Sequence, residues 1–291
     1  MFHGSIPALV TPFKNGAIDK PAFEALIERQ IQAGSGAVVP CGTTGEAATL
    51  SHEEHRLVTE LCVQIVRGRI PVIAGAGSNS TREAIELVAH AQSAGADAAL
   101  VICPYYNKPD QAGLEAHFRA INDAVSFPVI LYNVPSRTAC DLLPETVGRL
   151  AKLPNIVGIK DASNDLGRVP QHENLADGQQ FVQLSGEDPT SLGHLMMGGA
   201  GCISVTANVA PELCAKLYDA FLAGDLEQAR EIDRKLIYLH KAMFFAPSPA
   251  PAKYLLAKMG LCAPEVRLPI VAPDAETCER IDAAMKNAGL G

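Results

Sequence analysis

Short apolar runs alternate with amphipathic segments along most of the chain. The apolar runs have the usual length of strands and are too short for core helices. The segments between them repeat apolar residues at the three- and four-residue spacing of a helix that packs on a sheet. This alternation predicts eight strands, at Ile6–Val10, Ala37–Pro40, Pro71–Ala74, Ala98–Cys103, Val129–Tyr132, Ile156–Lys160, Phe181–Leu184 and Cys202–Val205.

Several of the helices carry recognisable end signals. The stretch 51–54, SHEE, is a capping box, and it predicts a helix that continues to Val66. Ser80 is placed to cap a helix over Thr81–Ala94, and Gly95 ends that helix because glycine readily adopts the left-handed conformation. Further helices are predicted over Pro211–Ala223, Asp225–Phe244, Pro249–Met259 and Asp274–Ala288.

Consecutive strand–helix units predict an α/β protein, a (β/α)8 TIM barrel with a small C-terminal helical region. An open doubly wound sheet is the alternative, and it is less favoured because no G-x-G-x-x-G follows the first strand. The predicted domains are a barrel catalytic domain over residues 1–224 and a helical region over residues 225–291.

Composition narrows the function classes. The 48% apolar content suits a parallel sheet that is buried on both faces. No apolar run approaches the ~20 residues that cross a bilayer, and the first residues lack the pattern of a signal peptide. The net charge of −8 without a basic cluster argues against nucleic-acid binding. We therefore expect a cytoplasmic protein with no membrane or nucleic-acid partner.

The eight cysteines show no C-x-x-C and no regular spacing. In a chain of this length they predict small buried thiols rather than disulfides or zinc ligands. The stretch 52–55, HEEH, is not the H-E-x-x-H motif of a zinc enzyme. The strand ends supply glycines and hydroxyls rather than a metal-binding set of His, Asp and Glu, so we expect no metal.

A lysine ends the sixth predicted strand, where an apolar side chain would be safer. Because strand side chains alternate, Lys160 shares a face with Gly158, which is expected to leave room for the lysine stem. The same alternation puts Tyr132 on the inner face of the fifth strand. We therefore expect Lys160 and Tyr132 on adjacent strands at the same level of the barrel, where active sites of this fold lie.

A buried lysine can present a free amine as a nucleophile, and its characteristic reaction is Schiff-base formation with a carbonyl. The alternative is a structural salt bridge from Lys160 to Asp161 or Glu187. Position alone leaves the two interpretations about even. The phenol of Tyr132 beside the amine favours chemistry, because it can transfer protons.

Two further segments could bind carboxylates. Gly42-Thr43-Thr44-Gly45-Glu46 could hold an anion through backbone N–H groups and hydroxyls, although a plain glycine-rich turn is about as well supported. Arg137 follows an Asn-Val-Pro-Ser turn and could form a bidentate pair with a carboxylate. Taken alone, Arg137 is more typical of a surface arginine.

Taken together, these motifs resemble the dihydrodipicolinate synthase family of the pyruvate-dependent class I aldolases, which also include N-acetylneuraminate lyase. The similarity runs nearly from end to end. It is carried by 8–13 (ALVTPF), 42–46 (GTTGE), 104–107 (PYYN), 113–118 (GLEAHF), 132–138 (YNVPSRT), 158–161 (GIKD) and 203–208 (ISVTAN).

The resemblance implies a lyase that forms a Schiff base on Lys160 with pyruvate and condenses it with L-aspartate 4-semialdehyde, on the diaminopimelate route to lysine. Tyr132 and Thr43 would form a proton relay that Tyr106 of a neighbouring subunit completes. Thr44 and the backbone of Ile203 would contact pyruvate, and Arg137 would bind the aldehyde substrate. No metal or organic cofactor is implied.

The resemblance also implies a homotetramer that is a dimer of tight dimers, with an allosteric lysine site at the tight interface. Two departures from the family pattern are Ala47, where lysine-sensitive members often carry Ser, and the stretch 246–251 (APSPAP). The positions that match the regulatory site are Ala47, Ala48, His52, His55, Asn79, Glu83 and Tyr105.

Two other functions stay open. A sister aldolase acting on a sialic acid or a 2-keto-3-deoxy sugar acid would share Lys160 and Tyr132. A non-catalytic barrel that senses pyruvate or lysine is the alternative of another class. Arg137 and the Thr43-Thr44 pair favour the semialdehyde as substrate, and the complete residue set argues against a sensor.

Overall fold

The computed structural model describes residues 2–290. Strands and helices alternate through most of the chain, as the apolar pattern predicts. The strands are β1 (Gly4–Pro7), β2 (Phe13–Lys14), β3 (Ala17–Ile18), β4 (Ile73–Gly75), β5 (Ala98–Ile102), β6 (Val129–Asn133), β7 (Ile156–Asp161), β8 (Val182–Ser185) and β9 (Gly201–Ser204). The helices are α1 (Lys20–Gln32), α2 (His52–Val66), α3 (Thr81–Ala94), α4 (Gln111–Ala124), α5 (Pro135–Thr138), α6 (Pro144–Leu150), α7 (Arg168–Ala176), α8 (Ser191–Met196), α9 (Pro211–Leu222), α10 (Leu226–Ala242), α11 (Ala250–Lys258) and α12 (Ala275–Asn287).

The chain forms two compact units. The central unit comprises residues 73–203 with residues 2–3, and the terminal unit comprises residues 4–72 and 204–290. The terminal unit thus unites early segments of the chain with the last helices. The division into a barrel domain over residues 1–224 and a helical region over residues 225–291 stays a prediction.

The central unit is built on a parallel sheet. Its strands follow the order β9-β8-β7-β6-β5-β4, and each neighbouring pair is parallel. Sequential neighbours of this kind arise from repeated β-α-β crossovers. The residues of β6 are all buried. Burial on both faces explains why these strands are continuous apolar runs without alternation.

The terminal unit contains β1 and a small antiparallel hairpin that the apolar pattern did not predict. In the hairpin β2 pairs with β3, and Asn15 and Gly16 form the turn between them. Both turn residues have positive φ, 55° for Asn15 and 81° for Gly16. An Asn-Gly pair of this kind is the usual signal for a tight hairpin, so the sequence did contain the information.

The second predicted strand, Ala37–Pro40, is not a strand. Val39 bridges Ala8 and Val38 bridges Val72, each as an isolated parallel bridge. Both valines are fully buried. The apolar run therefore reflects burial, while a single paired residue on each side is too little to form a ladder.

The helix predictions hold with small differences at the ends. The Ser51 hydroxyl accepts from Glu54 N at 3.2 Å and Ser51 N donates to Glu54 Oε2 at 2.9 Å, which confirms the capping box. Gly95 ends α3 with a φ of 86°. The predicted Ser80 cap is wrong, because its side chain makes no capping bond and Ser80 N instead donates to Ser78 Oγ at 3.0 Å.

All eight cysteines are free thiols. The prediction of buried thiols is confirmed for six of them, whereas Cys262 and Cys278 are partly exposed. Among residues 2–290, no helix combines the length and the apolar character needed to span a bilayer.

Candidate active site

Lys160 and Tyr132 lie side by side in the central unit. Strands β6 and β7 are paired so that Tyr132 is the register partner of Lys160. Each residue is only 7% exposed, and the lysine Nζ lies 4.0 Å from the centroid of the tyrosine ring. The predicted placement on adjacent strands at one level is confirmed. The alternation of strand side chains and the parallel register are sufficient to produce it.

The Lys160 amine lies beyond ion-pair distance of every carboxylate in the described part of the chain. Among residues 2–290, no side chain or backbone group forms a hydrogen bond or an ion pair with Nζ. Asp161 instead accepts from Ser163 N at 2.7 Å and lies 3.9 Å from Arg168 Nη1. The alternative of a structural salt bridge from Lys160 to Asp161 or Glu187 is therefore wrong. A buried ammonium without a partner is costly, so this position calls for a chemical explanation.

The glycine that makes room for the lysine stem is Gly186 rather than Gly158. A side chain at Gly158 would collide with the backbone carbonyl of Val182 on β8, so this glycine permits close approach of two strands. A Cβ on Gly186 would lie 3.0 Å from Lys160 Cε and 2.6 Å from Ala162 Cβ. The alternation within β7 points to Gly158, whereas the space for the lysine stem is provided just after the end of the neighbouring strand β8.

Glu187 follows Gly186 and is partly buried. Burial raises the pKa of Glu187, and the nearby carboxylate of Asp188 raises it further, while the positive charges of Lys160 and Arg137 act in the opposite direction. The charges of Lys160 and Arg137 therefore act on Glu187 over a longer range, since neither residue forms an ion pair with it within 4.0 Å.

Arg137 lies on a rigid turn and is exposed. It belongs to the single-turn helix α5, which begins with Pro135. The Thr138 hydroxyl donates to the carbonyl of Cys140 at 2.8 Å, and the Asn133 amide donates to Asp141 Oδ1 at 2.8 Å. These two bonds, the first buried and the second partly buried, hold the turn. No described residue pairs with the guanidinium, which leaves it available for a ligand carboxylate.

Tyr106 projects away from its own chain. Its side chain is 91% exposed and its φ is 75°, an uncommon conformation for a residue other than glycine. The neighbouring residues fix the loop: Asn79 Nδ2 donates to the Tyr105 carbonyl at 3.1 Å, and Asn107 Nδ2 donates to the Asn79 carbonyl at 3.0 Å. The structure therefore does not bring Tyr106 to Lys160 and Tyr132 within one chain.

The segment 42–46 forms a compact loop in the terminal unit. Gly45 N donates to the Gly42 carbonyl at 3.0 Å, and Glu46 N donates to the Thr43 carbonyl at 3.1 Å. The hydroxyls and the N–H groups of Thr43 and Thr44 have no hydrogen-bond partner among the described residues. Two adjacent residues with unused donors are suited to binding an anion.

The remaining predicted residues lie in both units. Ile203 lies in β9 and is 1% exposed. In the terminal unit, Ala48 lies in a short 3₁₀ helix, His52 begins α2 as an exposed residue, and His55 is buried. In the central unit, Asn79 is bonded to Tyr105, and Glu83 contacts the Ser78 hydroxyl. Of the proposed regulatory residues, Asn79 and Tyr105 are thus joined directly by a hydrogen bond.

A polar cleft in the central unit is bordered by Ile159 and Asp161, which flank Lys160 in the sequence. Its lining includes Asp161, Arg168, His172 and His194 but not Lys160. Burial lowers the pKa of His172, and it lowers that of His194 to about 4, so both rings are neutral near pH 7. No group of three or more His, Cys, Asp or Glu residues in the described chain could hold a metal ion.

Comparisons with known proteins agree with this geometry. The model of the dihydrodipicolinate synthetase family matches residues 1–288. The 4-hydroxy-tetrahydrodipicolinate synthase of Hyphomonas neptunium is 71% identical, over 100% of this chain and 99% of that protein.

Solved structures extend the similarity to the fold. The chloride-inhibited dihydrodipicolinate synthase of Acinetobacter baumannii, complexed with pyruvate, is 44% identical, with a TM-score of 0.96 and full coverage of both chains (100%). The lysine-bound enzyme of Cyanidioschyzon merolae is 38% identical, with a TM-score of 0.95 over 100% of this chain and 99% of that one. The predicted (β/α)8 barrel with C-terminal helices is confirmed. The chain belongs to the dihydrodipicolinate synthetase family.

Proposed function

We propose that this chain condenses pyruvate with L-aspartate 4-semialdehyde to 4-hydroxy-tetrahydrodipicolinate, through a Schiff base on Lys160. The family match and the 71% identical relative support the reaction. The observation that carries the assignment of the lysine is its environment. Lys160 is buried against the Tyr132 ring, and no described residue forms an ion pair with its amine.

The first step is attack of the Lys160 amine on the C2 carbonyl of pyruvate. The carbinolamine loses water to give an iminium, and loss of a proton from the methyl carbon then gives an enamine. The enamine carbon attacks the aldehyde carbon of the semialdehyde and forms the new C–C bond. The amino group of the semialdehyde portion then attacks C2, expels the lysine amine and closes the ring.

Each of these steps moves a proton, and a relay of hydroxyl groups accounts for the transfers. Tyr132 is the member next to the amine, with its ring 4.0 Å from Lys160 Nζ. Thr43 is the second member, and its hydroxyl has no other partner in the described chain. Tyr106 completes the relay in a neighbouring subunit, and its 91% exposure supports a role outside its own chain.

Carboxylate binding is divided among three residues. Thr44 and the backbone of Ile203 contact pyruvate, and the unused Thr44 donors support this role. Arg137 binds the carboxylate of the semialdehyde, and its unpaired, exposed guanidinium supports that role. No cofactor enters the reaction, because the covalent iminium itself stabilises the developing carbanion.

The same proposal covers assembly, regulation and location. We expect a homotetramer, a dimer of dimers, as the family resemblance implies. A relay completed by Tyr106 by itself requires at least two chains. L-Lysine is the proposed inhibitor, at a site formed by Ala48, His52, His55, Asn79, Glu83 and Tyr105. The bond between Asn79 and Tyr105 supports part of that site. The proposed location is the cytoplasm.

A sugar-acid aldolase and a non-catalytic sensor are the competing functions. The aldolase would use the same lysine and tyrosine, so only the second substrate separates the two enzymes. Faster cleavage of a sugar acid than condensation with the semialdehyde would favour the aldolase. Binding of pyruvate without turnover would favour the sensor.

Reduction with borohydride in the presence of pyruvate is the direct test. We expect a stable pyruvyl adduct on Lys160, identified by peptide mapping and absent without pyruvate. The chain supplies its own control, because Lys253 is buried as well and should stay unmodified. A protein that turns over substrate without an adduct on Lys160 would exclude this mechanism.

A further inference from the structure

A second lysine, Lys253, is buried in the terminal unit on helix α11. Lys253 is fully buried, with 0% of its surface exposed. The ammonium donates to Glu46 Oε1 at 2.5 Å and to the carbonyl of Glu265 at 2.8 Å, and it lies 4.1 Å above the ring of Phe13. Glu46 is the last residue of the loop that carries Thr43 and Thr44. A C-terminal helix therefore holds the end of this loop through a charge pair 207 residues apart in sequence.

The second oxygen of the Glu46 carboxylate is held by the same part of the chain. Arg267 N donates to Glu46 Oε2 at 2.9 Å. The Arg267 guanidinium forms two bonds of 2.6 Å with Glu54 and donates to the Thr49 carbonyl at 3.1 Å. It lies 4.2 Å over the Phe13 ring, which the Lys253 ammonium also contacts. Glu46 is thus fixed at both oxygens, and the residues that follow it are fixed by Arg267.

The backbone of the loop needs such support. Cys41 before it and Glu46 at its end both have positive φ, 54° and 57°, although neither is glycine. Residues other than glycine occupy this region only at a cost that the surrounding structure must offset. The loop also approaches its surroundings closely, because a Cβ on Gly45 would lie 3.1 Å from the Leu9 carbonyl.

A buried ion pair is a poor means of gaining stability, because the desolvation of both charges cancels much of their attraction. Burial lowers the pKa of Lys253, and the Glu46 carboxylate acts in the opposite direction. An apolar pair could fill this space more simply. Fixing a single loop conformation is a role for which the directionality of charged hydrogen bonds is suited.

We propose that Lys253 is a positioning residue: through Glu46 it fixes the Gly42–Glu46 loop so that the donors of Thr43 and Thr44 are held in place for the substrate carboxylate. The C-terminal helical region then takes part in the reaction without touching the substrate. The kinetic part of this inference rests on the proposed function, whereas the positioning of the loop does not.

The test uses Lys253→Met and, from the other end of the pair, Glu46→Gln. The glutamine variant keeps the size of the side chain and leaves Lys253 free to lose its proton, so it should fold even where Lys253→Met does not. The control is Lys258→Met on the same helix, whose surface pair with Asp282, at 2.5 Å, lies outside this network.

We expect the KM for pyruvate to rise roughly tenfold or more in Lys253→Met and by a smaller factor in Glu46→Gln, because small misplacements of binding groups are costly. Hydrogen–deuterium exchange of the peptide over residues 42–49 should accelerate in both variants. In Lys258→Met, both the pyruvate KM and this exchange rate should stay unchanged. A purely structural role would lower thermal stability while leaving the KM of the folded protein unchanged.

Two outcomes separate the claims. Folded variants with a normal pyruvate KM and normal exchange in the 42–49 peptide would overturn the positioning role. A wild-type protein without a pyruvyl adduct on Lys160 would refute the proposed function instead. In that case the exchange measurement still decides whether Lys253 fixes the loop.

Discussion

Two lysines are buried among residues 2–290, one in each unit, and their environments differ in one respect. Lys160 is 7% exposed and Lys253 is 0% exposed. The ammonium of each lies over an aromatic ring, at 4.0 Å from the Tyr132 centroid and 4.1 Å from that of Phe13. Lys253 also has a carboxylate and a carbonyl as partners, whereas no described residue forms a hydrogen bond with the Lys160 amine.

The comparison shows that burial does not by itself indicate a reactive lysine. An amine that is hydrogen-bonded to a buried carboxylate and a carbonyl is already occupied, and it is not available to an incoming carbonyl compound. An amine that faces only a ring and a phenol has no competing partner when a carbonyl compound arrives. The presence or absence of an anion at Nζ therefore separates the structural lysine from the proposed nucleophile.

The largest expected effect is on activity at the unpaired lysine. We predict that Lys160→Met lowers kcat/KM by at least about a thousandfold, because the covalent step is lost. Steady-state assay of the condensation checks this value, with Lys258→Met, at a surface lysine paired with Asp282, as the control that should keep normal activity. Near-normal turnover by Lys160→Met would remove the basis of the comparison.

For stability the order of the two lysines should be reversed: Lys253→Met should lower the free energy of unfolding more than Lys160→Met does. Lys253→Met leaves the Glu46 carboxylate buried without its partner, and we predict a loss of about 3–5 kcal/mol in the free energy of unfolding. Lys160→Met replaces an amine that forms no hydrogen bond with a described residue, and it should change this free energy by no more than about 1 kcal/mol. Urea denaturation of both variants provides the measurement, and equal losses would contradict the distinction.

A smaller effect is expected at the ring beside the unpaired lysine. Tyr132→Phe keeps the aromatic face but removes the hydroxyl, so we predict a loss of about a hundredfold in kcat with unchanged stability. Tyr254→Phe is the matched control, since its hydroxyl bonds to Asp282 at 3.2 Å in the terminal unit. Full activity of Tyr132→Phe would show that the ring matters only for packing.

The smallest predicted effect is at Tyr106, the most distant member of the relay. Tyr106→Phe should lower kcat about tenfold, because only the end of the proton path is changed. Tyr238→Phe, an exposed tyrosine on α10, is the control. An unchanged kcat would exclude Tyr106 from the relay and leave Tyr132 to act without it.

The central unit was the more predictable of the two from sequence. Its strands are continuous apolar runs, and the period of two within a strand was enough to place Tyr132 beside Lys160. The error concerned the glycine that makes room for the lysine stem, which is Gly186, just after the neighbouring strand β8, rather than Gly158. A pattern within one strand contains no information about which neighbour supplies the space.

The terminal unit was less predictable, because its main interactions join distant segments. Nothing in the sequence around Lys253 marks it as buried, since helix α11 contains lysines both inside and at the surface. Its partner Glu46 is 207 residues away, and its charge was not included in any predicted cluster. The glycines and threonines of the loop marked it as a candidate anion-binding segment, but only the folded structure showed which residues hold it in place.

The exposure of Tyr106 has a consequence for mixtures of inactive chains. If every site combines Lys160 of one subunit with Tyr106 of another, then a Lys160→Met chain and a chain with a disabling change at Tyr106 are complementary. A mixed dimer would contain one site in which both residues are intact and one in which both are altered. Mixing two weakly active proteins would then restore up to half of the normal activity per mixed dimer, a form of complementation between subunits that a self-contained site could not produce.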